Sequence, residues 1–256
     1  MNKTALFLKR IGLSPDVPVT HTIDFLNQLQ NACVQNIAYE NLDILAGKSI
    51  SLEFDDLFEK IVTQNRGGYC FELNGFLIHM LREMDFTVHD RFARFLRNES
   101  TIPMRRHRVA VVSLAEGDYL CDIAVGQIAP RLPVKLEDGL VQKQPNGEIY
   151  KPVRDARHGW VIYEQYKGDW RQFICFTEDD QYDVDYIQPH YFCLTHPDSI
   201  FNKKYMLSIK TPLGRCTLDG PNFKIFHGEV LEHLEENISE ERLRELFREV
   251  FKLRLP

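Results

Sequence analysis

The sequence predicts an α+β protein with its helices first and its strands after them. Three observations carry this. Apolar residues fall at helical spacing through the first third. From Val88 to about Phe176 the pattern changes to short runs separated by turn residues. The last third mixes both kinds and ends on a capped helix.

Thr22 can cap a segment with Ile23, Leu26 and Leu29 on one face, ending before Asn36. Ser51 precedes an acidic first turn (Glu53, Asp55, Asp56), after which Phe54, Leu57, Phe58, Ile61 and Val62 keep helical spacing. A third helix starts near Cys70 with Leu73, Phe76, Leu77, Met80, Leu81 and Met84 on one stripe. The three stripes should pack as a small bundle.

The middle offers strands at Val88–Leu96, Arg108–Leu114, Tyr119–Val125, Gly139–Gln142, Gly159–Glu164 and Trp170–Phe176. Turn signals stand at Glu116-Gly117-Asp118 and Pro145-Asn146-Gly147. Strands at this spacing suggest a barrel or a curved antiparallel sheet. The acidic stretch Glu178–Asp185 reads as a surface connection. Tyr205–Lys210, Gly214–Leu218 and Phe223–Phe226 read as further strands. Ser239 caps a last helix with Glu240 and Glu241 in its first turn and Leu243, Leu246, Phe247, Val250 and Phe251 on its buried stripe.

Composition bounds the function. The chain has 256 residues, 44% hydrophobic and 27% charged, which is ordinary for a globular protein and enough for a sizeable core. The formal charge of −6 disfavours broad binding to nucleic acid or to an anionic membrane. The apolar runs Ala5–Leu8 and Val109–Val112 are too short to span a bilayer, and no secretory signal is evident, so a cytoplasmic protein is expected. Cys33, Cys70, Cys121, Cys175, Cys193 and Cys216 are scattered and read as free thiols.

Two motif matches fail. Gly47-Lys48-Ser49 lacks the first glycine of a phosphate-binding loop, because Leu42 stands there. His227 and His233 are six residues apart, a spacing that favours surface histidines over a metal site.

The informative stretch is Arg66-Gly67-Gly68-Tyr69-Cys70-Phe71-Glu72-Leu73-Asn74. The glycines predict a sharp turn with backbone angles that other residues avoid. Cys70 would then open a helix, where the macrodipole and free N–H groups can lower a thiol from ~8.5 to roughly 3.5–7.5. Arg66 and Glu72 are expected to pair across the turn. A cysteine nucleophile needs a base and an orienter. His107 opens one strand and Asp122 lies in the next. A hairpin through the Glu116-Gly117-Asp118 turn, with paired residue numbers summing to about 232, brings Asp122 within reach of His107. His79, His89, His158, His190 and His196 lack such a neighbour.

Here the sequence resembles the arylamine N-acetyltransferase family. The cysteine motif matches the family's Arg-Gly-Gly-x-Cys-x-Glu-x-Asn at each fixed position. Ile37–Ile44 resembles its Pro-Phe-Glu-Asn-Leu segment, with Ala38 and Tyr39 as departures. His107-Arg108-Val109 resembles the histidine strand and Asp122 the aspartate. Thr195-His196-Pro197 and Gly214-Arg215 resemble later segments. The resemblance implies a helical bundle (1–87) carrying the nucleophile, an antiparallel β-barrel (88–190) carrying His and Asp, and an α/β lid (191–256), around a cysteine-protease-like Cys-His-Asp core. It implies acetyl-CoA as donor, no metal, and arylamines, arylhydrazines or N-hydroxyarylamines as acceptors, with a place in xenobiotic metabolism. Carried over by position, Cys70 is the nucleophile, His107 the base and Asp122 the orienter.

The family commonly has Asp-Val-Gly-Phe-Gly where this chain has Asp122-Ile123-Ala124-Val125-Gly126. Ala124 and Gly126 are therefore the expected CoA-contacting residues. Tyr39, Tyr69 and Val125 are the expected acceptor wall, and Arg105, Arg106 and Arg108 are candidates for the phosphates. The expected reaction is ping-pong transfer through an acetyl-cysteine. The alternatives are a cysteine hydrolase, an amide synthase with the same triad, and a non-catalytic binding relative.

Overall fold

The computed structural model describes residues 2–97 and 99–254; the extreme ends of the first and last expected parts, Met1 and residues 255–256, lie outside them. The helical part opens with α1 (Lys3–Arg10), capped by Asn2 and absent from the sequence reading. Next comes α2 (Ile23–Asn36), capped by the Thr22 side chain as expected and one residue longer than predicted. A single turn, α3 (Leu42–Leu45), follows. In α4 (Phe54–Phe58) the cap position is Glu53, which gives no side-chain cap hydrogen bond. The Ser51 hydroxyl instead accepts from the Glu53 N–H. The predicted continuation then winds as a π-helical turn, Glu59–Thr63.

The last helix of this part, α5 (Cys70–Glu83), is buried along almost its whole length, not on one stripe. It lies between the other helices and the sheet. Its apolar residues share one core with Leu26, Leu29, Phe58 and Ile61 on one side and Ala110, Val112 and Cys121 on the other. An apolar helix of this kind is a core element, and burial of its large side chains is worth about 1.5–3 kcal/mol each.

Eight strands follow: β1 (Thr87–Phe95), β2 (His107–Leu114), β3 (Gly117–Cys121), β4 (Val134–Lys135), β5 (Gln142–Lys143), β6 (Ile149–Asp155), β7 (Gly159–Tyr166) and β8 (Asp169–Phe176). They form one antiparallel sheet in the order β4-β3-β2-β1-β8-β7-β6-β5. It curls into a near-closed barrel around Val109, Leu120, Ile162, Phe173 and Ile174. The two edges meet through side chains. Gln142 accepts from Lys135 N at 2.8 Å and donates to Lys135 O at 2.9 Å. Gln144 does the same for Leu132, at 3.0 and 2.6 Å. Sequence patterning missed β6, and it placed a longer strand where only β5 forms. It also centred the β2–β3 hairpin one position off. Leu114 pairs with Gly117 and Ala110 with Cys121, so the loop is the dipeptide Ala115-Glu116, and β3 ends before Asp122.

Residues 183–186 form a 3-10 turn leading into α6 (Ile187–Thr195). The preceding acidic stretch is more than a surface connection, because it docks on the barrel: Asp180 bonds Arg91 and Asp183 bonds Arg108. The last part is an antiparallel meander, β9 (Met206–Lys210), β10 (Gly214–Asp219), β11 (Asn222–His227) and β12 (Val230–Glu235), covered by α7 (Glu240–Glu249). The edge strand β12 was not predicted; it is almost wholly exposed and carries no alternating core signal. Leu243, Leu246, Phe247 and Phe251 pack on Leu207, Leu218 and Phe223, as the helical stripe requires. The Ser239 side chain caps α7 by accepting from Arg242 N at 3.2 Å. Ser239→Ala is expected to cost about 1 kcal/mol, read as a lower thermal midpoint with unchanged far-UV signal.

The backbone at Tyr39 ties the helical part to the meander. It exchanges hydrogen bonds with Ser208 of β9, and the next residue, Glu40, donates to Gly68 O. That places the glycine turn, and so the start of α5, against the meander.

Candidate active site

Neither Gly67 nor Gly68 adopts a positive φ, so the turn does not need glycine for its backbone angles. It needs the space. A Cβ on Gly67 would lie 2.0 Å from Ala38 O, and one on Gly68 would lie 2.9 Å from the Glu72 side chain. The Glu72 carboxylate accepts from Tyr69 N at 3.2 Å, which caps the helix that begins with Cys70.

The expected Arg66–Glu72 pair does not form. Lys60 holds Glu72 instead, with Nζ 2.5 Å from Oε1, and also reaches Asp43 at 2.7 Å. Arg66 pairs with Glu40 at 2.9 Å and with Asp43 at 3.2 Å. Segments distant in sequence therefore supply the brace. Lys60 and Arg66 overcome the burial of Asp43 and bring its carboxyl down to about 2. Its folded value lies below its unfolded one, so its contribution to stability is complete above about 4 and is lost as pH falls through about 2. Asp43→Asn should flatten that acid limb, measured as unfolding midpoint against pH from 5 to 2 relative to the parent chain.

Cys70 is 4% exposed and lines a cleft of about 330 Å³ together with His107. Its Sγ lies 3.8 Å from the carbonyl oxygen of Arg106. The thiol does not behave as the helix N-terminus alone would dictate. Burial pushes it well above its ordinary value, and Cys193 and Asp122 push the same way. The N–H groups of Phe71 and of Cys70 itself pull it down, but by less.

His107 opens β2 as predicted, and its Nε2 is 2.6 Å from Asp122 Oδ2. A carboxylate on Nε2 fixes the proton there and leaves Nδ1 as the acceptor. Asp122 is fully buried. Its Oδ1 accepts from Asn74 Nδ2 at 2.8 Å and from Ala124 N at 2.9 Å. Asn74 also donates to Arg108 O and accepts from Ile123 N at 3.1 Å. This locking role was not read from the sequence. The available signal was spacing: Asn74 is four residues beyond Cys70, on the same helix face.

The cleft runs from these residues between the 122–128 segment and the meander, where Met206, Leu207 and Leu218 form its far wall. Tyr39, Val125, Ala124 and Gly126 all line it. Ala124 N–H is already used by Asp122. Gly126 has φ +63°, a conformation suited to glycine. Tyr69 does not line the cleft. It is fully buried, its hydroxyl bonds His190 Nδ1, and its ring packs on Phe201. His190 passes the contact on, with Nε2 3.0 Å from Ile50 O.

The basic run splits three ways. Arg108 is sealed inside against Asp90 and Asp183. Arg105 donates to Thr177 at 3.2 Å, and only Arg106 lines the cleft. Among the described residues, no group of three His, Cys, Asp or Glu could hold a metal ion. His227 and His233 are half exposed, each beside a glutamate. No helix among the described residues is long and apolar enough to cross a membrane.

A cysteine, a carboxylate-held imidazole and an apolar cleft suit acyl transfer, and the comparisons with known proteins agree. The N-acetyltransferase family profile matches residues 22–256. The arylamine N-acetyltransferase of Mycolicibacterium smegmatis is 31% identical over 240 residues, covering 89% of this chain and 84% of that one. The solved arylamine N-acetyltransferase from Salmonella typhimurium matches with a TM-score of 0.93 at 25% identity, over 99% of this chain and 92% of the other. That of Mycobacterium marinum, determined in complex with CoA, matches with a TM-score of 0.89 at 28% identity, over 98% and 92%. This chain belongs to the arylamine N-acetyltransferase family and is an acyltransferase.

Proposed function

We propose that the chain transfers an acetyl group from acetyl-CoA to an aromatic amine, hydrazine or N-hydroxyarylamine through an acetyl-cysteine on Cys70. The observation that carries this is the 2.6 Å His107–Asp122 contact in the same cleft as Cys70. It leaves the imidazole oriented and able to accept a proton. The relative solved with CoA supports the choice of donor.

Burial holds the resting Cys70 as a thiol, so the step begins with proton transfer to His107. The thiolate attacks the thioester carbonyl and forms the C–S bond. The tetrahedral adduct collapses, CoA leaves as a thiolate, and imidazolium returns the proton to it. Asp122 stabilises the imidazolium, and Asn74 stops the carboxylate from turning away. An arylamine is neutral at pH 7 and can then attack the acetyl-cysteine. His107 takes the amine proton and Cys70 departs. The 122–126 segment forms the donor side, with Gly126 giving close backbone approach and Ala124 adding a methyl. Tyr39 and Val125 border the acceptor.

Initial rates measured against both substrates test this reading. Parallel double-reciprocal lines are expected. Intersecting lines, or CoA release at an equal rate without amine, would favour direct transfer or a hydrolase.

A further inference from the structure

We propose that Arg106 is the recognition point for a carboxylate on a substrate bound in the Cys70 cleft, carried either by the aromatic acceptor or by the acyl group. The proposal rests on the acyl-transfer reading above and adds a charge preference to it.

The cleft is walled mainly by apolar groups such as Tyr39, Phe95, Ile128, Phe201 and Met206. Its basic and acidic members are Arg97, Arg106, His107 and Asp219. Three of these are engaged. Arg97 Nε stands 2.8 Å from Glu164 Oε1, and its guanidinium lies over the Tyr166 ring. His107 is held by Asp122, and Asp219 pairs with Lys204 at 2.7 Å. Arg106 Nη2 stands 3.7 Å from Glu99 Oε1, an ion pair beyond hydrogen-bond distance. That carboxylate is itself 35% exposed, whereas the Arg106 side chain is 21% exposed. Arg106 thus brings a shielded cation, with N–H donors that no hydrogen bond takes up among the described residues, into an apolar cleft of a protein whose formal charge is −6.

Position narrows the ligand. The Arg106 carbonyl oxygen lies 3.8 Å from Cys70 Sγ, and the next residue is His107. Its N–H donates to Ala93 O at 3.2 Å, which fixes the backbone where it enters β2. Arg106 therefore enters the cleft beside the reacting atoms, and its side chain is long enough to serve a group bound next to Cys70. The phosphates of CoA are separated from the thioester by the whole pantetheine arm, so the anion that fits here is one near the reacting carbon. A planar guanidinium fork matches a carboxylate in two parallel hydrogen bonds, and such charged pairs are among the stronger ones.

Equilibrium binding, which needs no turnover, tests the proposal. Calorimetric titration would compare 4-aminobenzoate with its neutral isostere 4-aminobenzamide. The parent chain should bind the carboxylate at least about tenfold more tightly. Arg106→Gln should erase that ratio, and Arg106→Lys should restore part of it. A second arm compares the rate at which acetyl-CoA and succinyl-CoA acylate Cys70, read by intact mass. An advantage of succinyl-CoA that disappears in Arg106→Gln would place the carboxylate on the acyl group. No charge preference in either arm overturns the proposal. So does a weakening of both acceptors together with a raised KM for acetyl-CoA, which would assign Arg106 to the donor. If neither amine is acetylated but the binding ratio holds, the acyl-transfer reading fails and this site stands.

Discussion

Cys70→Ser is expected to lower acetyl transfer by at least about four orders of magnitude while leaving the fold intact. The step asks the side chain at position 70 to lose a proton to His107 and then to leave again from an acyl adduct. A hydroxyl is far more basic than a thiol and a poorer leaving group, so both halves slow together. The packing cost is small, because serine is nearly isosteric with cysteine and the thiol's hydrogen bond to the Arg106 carbonyl is long, at 3.8 Å. A thermal midpoint close to that of the parent chain, with the rate lost at saturating donor and amine, is the expected result. A variant that keeps a tenth of the parent rate would remove Cys70 from the chemistry. The same reasoning separates this site from a thiol that depends on a depressed pKa. Burial holds Cys70 protonated, so its reactivity with a small alkylating agent should require His107 and fall sharply in His107→Ala.

Asp90→Ala is expected to cost about 3–5 kcal/mol of stability, the penalty for stranding a buried charge. Arg108 is fully buried. Its Nε lies 3.1 Å from both oxygens of Asp90, and its Nη2 also meets that carboxylate. Nη2 further donates to Asp183 Oδ1 at 2.6 Å, while Nη1 has no hydrogen-bond partner. Tyr186 closes the cluster. Its hydroxyl donates to Asp90 at 2.5 Å, and its ring centroid is 4.2 Å from the guanidinium carbon. Removing Asp90 leaves only Asp183, whose side chain is 54% exposed and screened by water. Asp183→Asn should accordingly cost far less, within about 1 kcal/mol. Denaturant midpoints for the two variants check the contrast. Equal losses would mean that the cluster does not rank its two carboxylates by burial. The loss should extend to catalysis, since Arg108 follows His107 and its carbonyl holds Asn74.

Much of the site was legible because its signals are local. A cap at Thr22, a cap at Ser239 and a helix opening on Cys70 each depend on a few adjacent residues. The hairpin brought Asp122 to His107 even though its register was one position off, since a carboxylate just past the end of β3 still reaches across. What failed depends on distant partners. Arg66 and Glu72 are close in the chain, but Glu40 and Lys60 arrive from other segments and take them. Tyr69 looked like a cleft residue because it neighbours Cys70. Successive residues point in different directions, and its side chain runs to His190 on α6. The run of three arginines gave no hint that one would be sealed inside the barrel wall, one would turn to Thr177 and one would enter the cleft. Closure of the barrel by Gln142 and Gln144 left no periodic trace, because side chains there replace a strand ladder.

Transfer by this route requires a covalent acetyl-cysteine at position 70. Intact-protein mass spectrometry after brief mixing with acetyl-CoA, followed by peptide mapping and then by addition of an aromatic amine, tests it most directly. A single acetyl group is expected on the Cys70 peptide, absent in Cys70→Ser, and it should disappear as acetylated amine accumulates. Acetylated amine formed with no adduct on Cys70, or an adduct that the amine does not discharge, would contradict it.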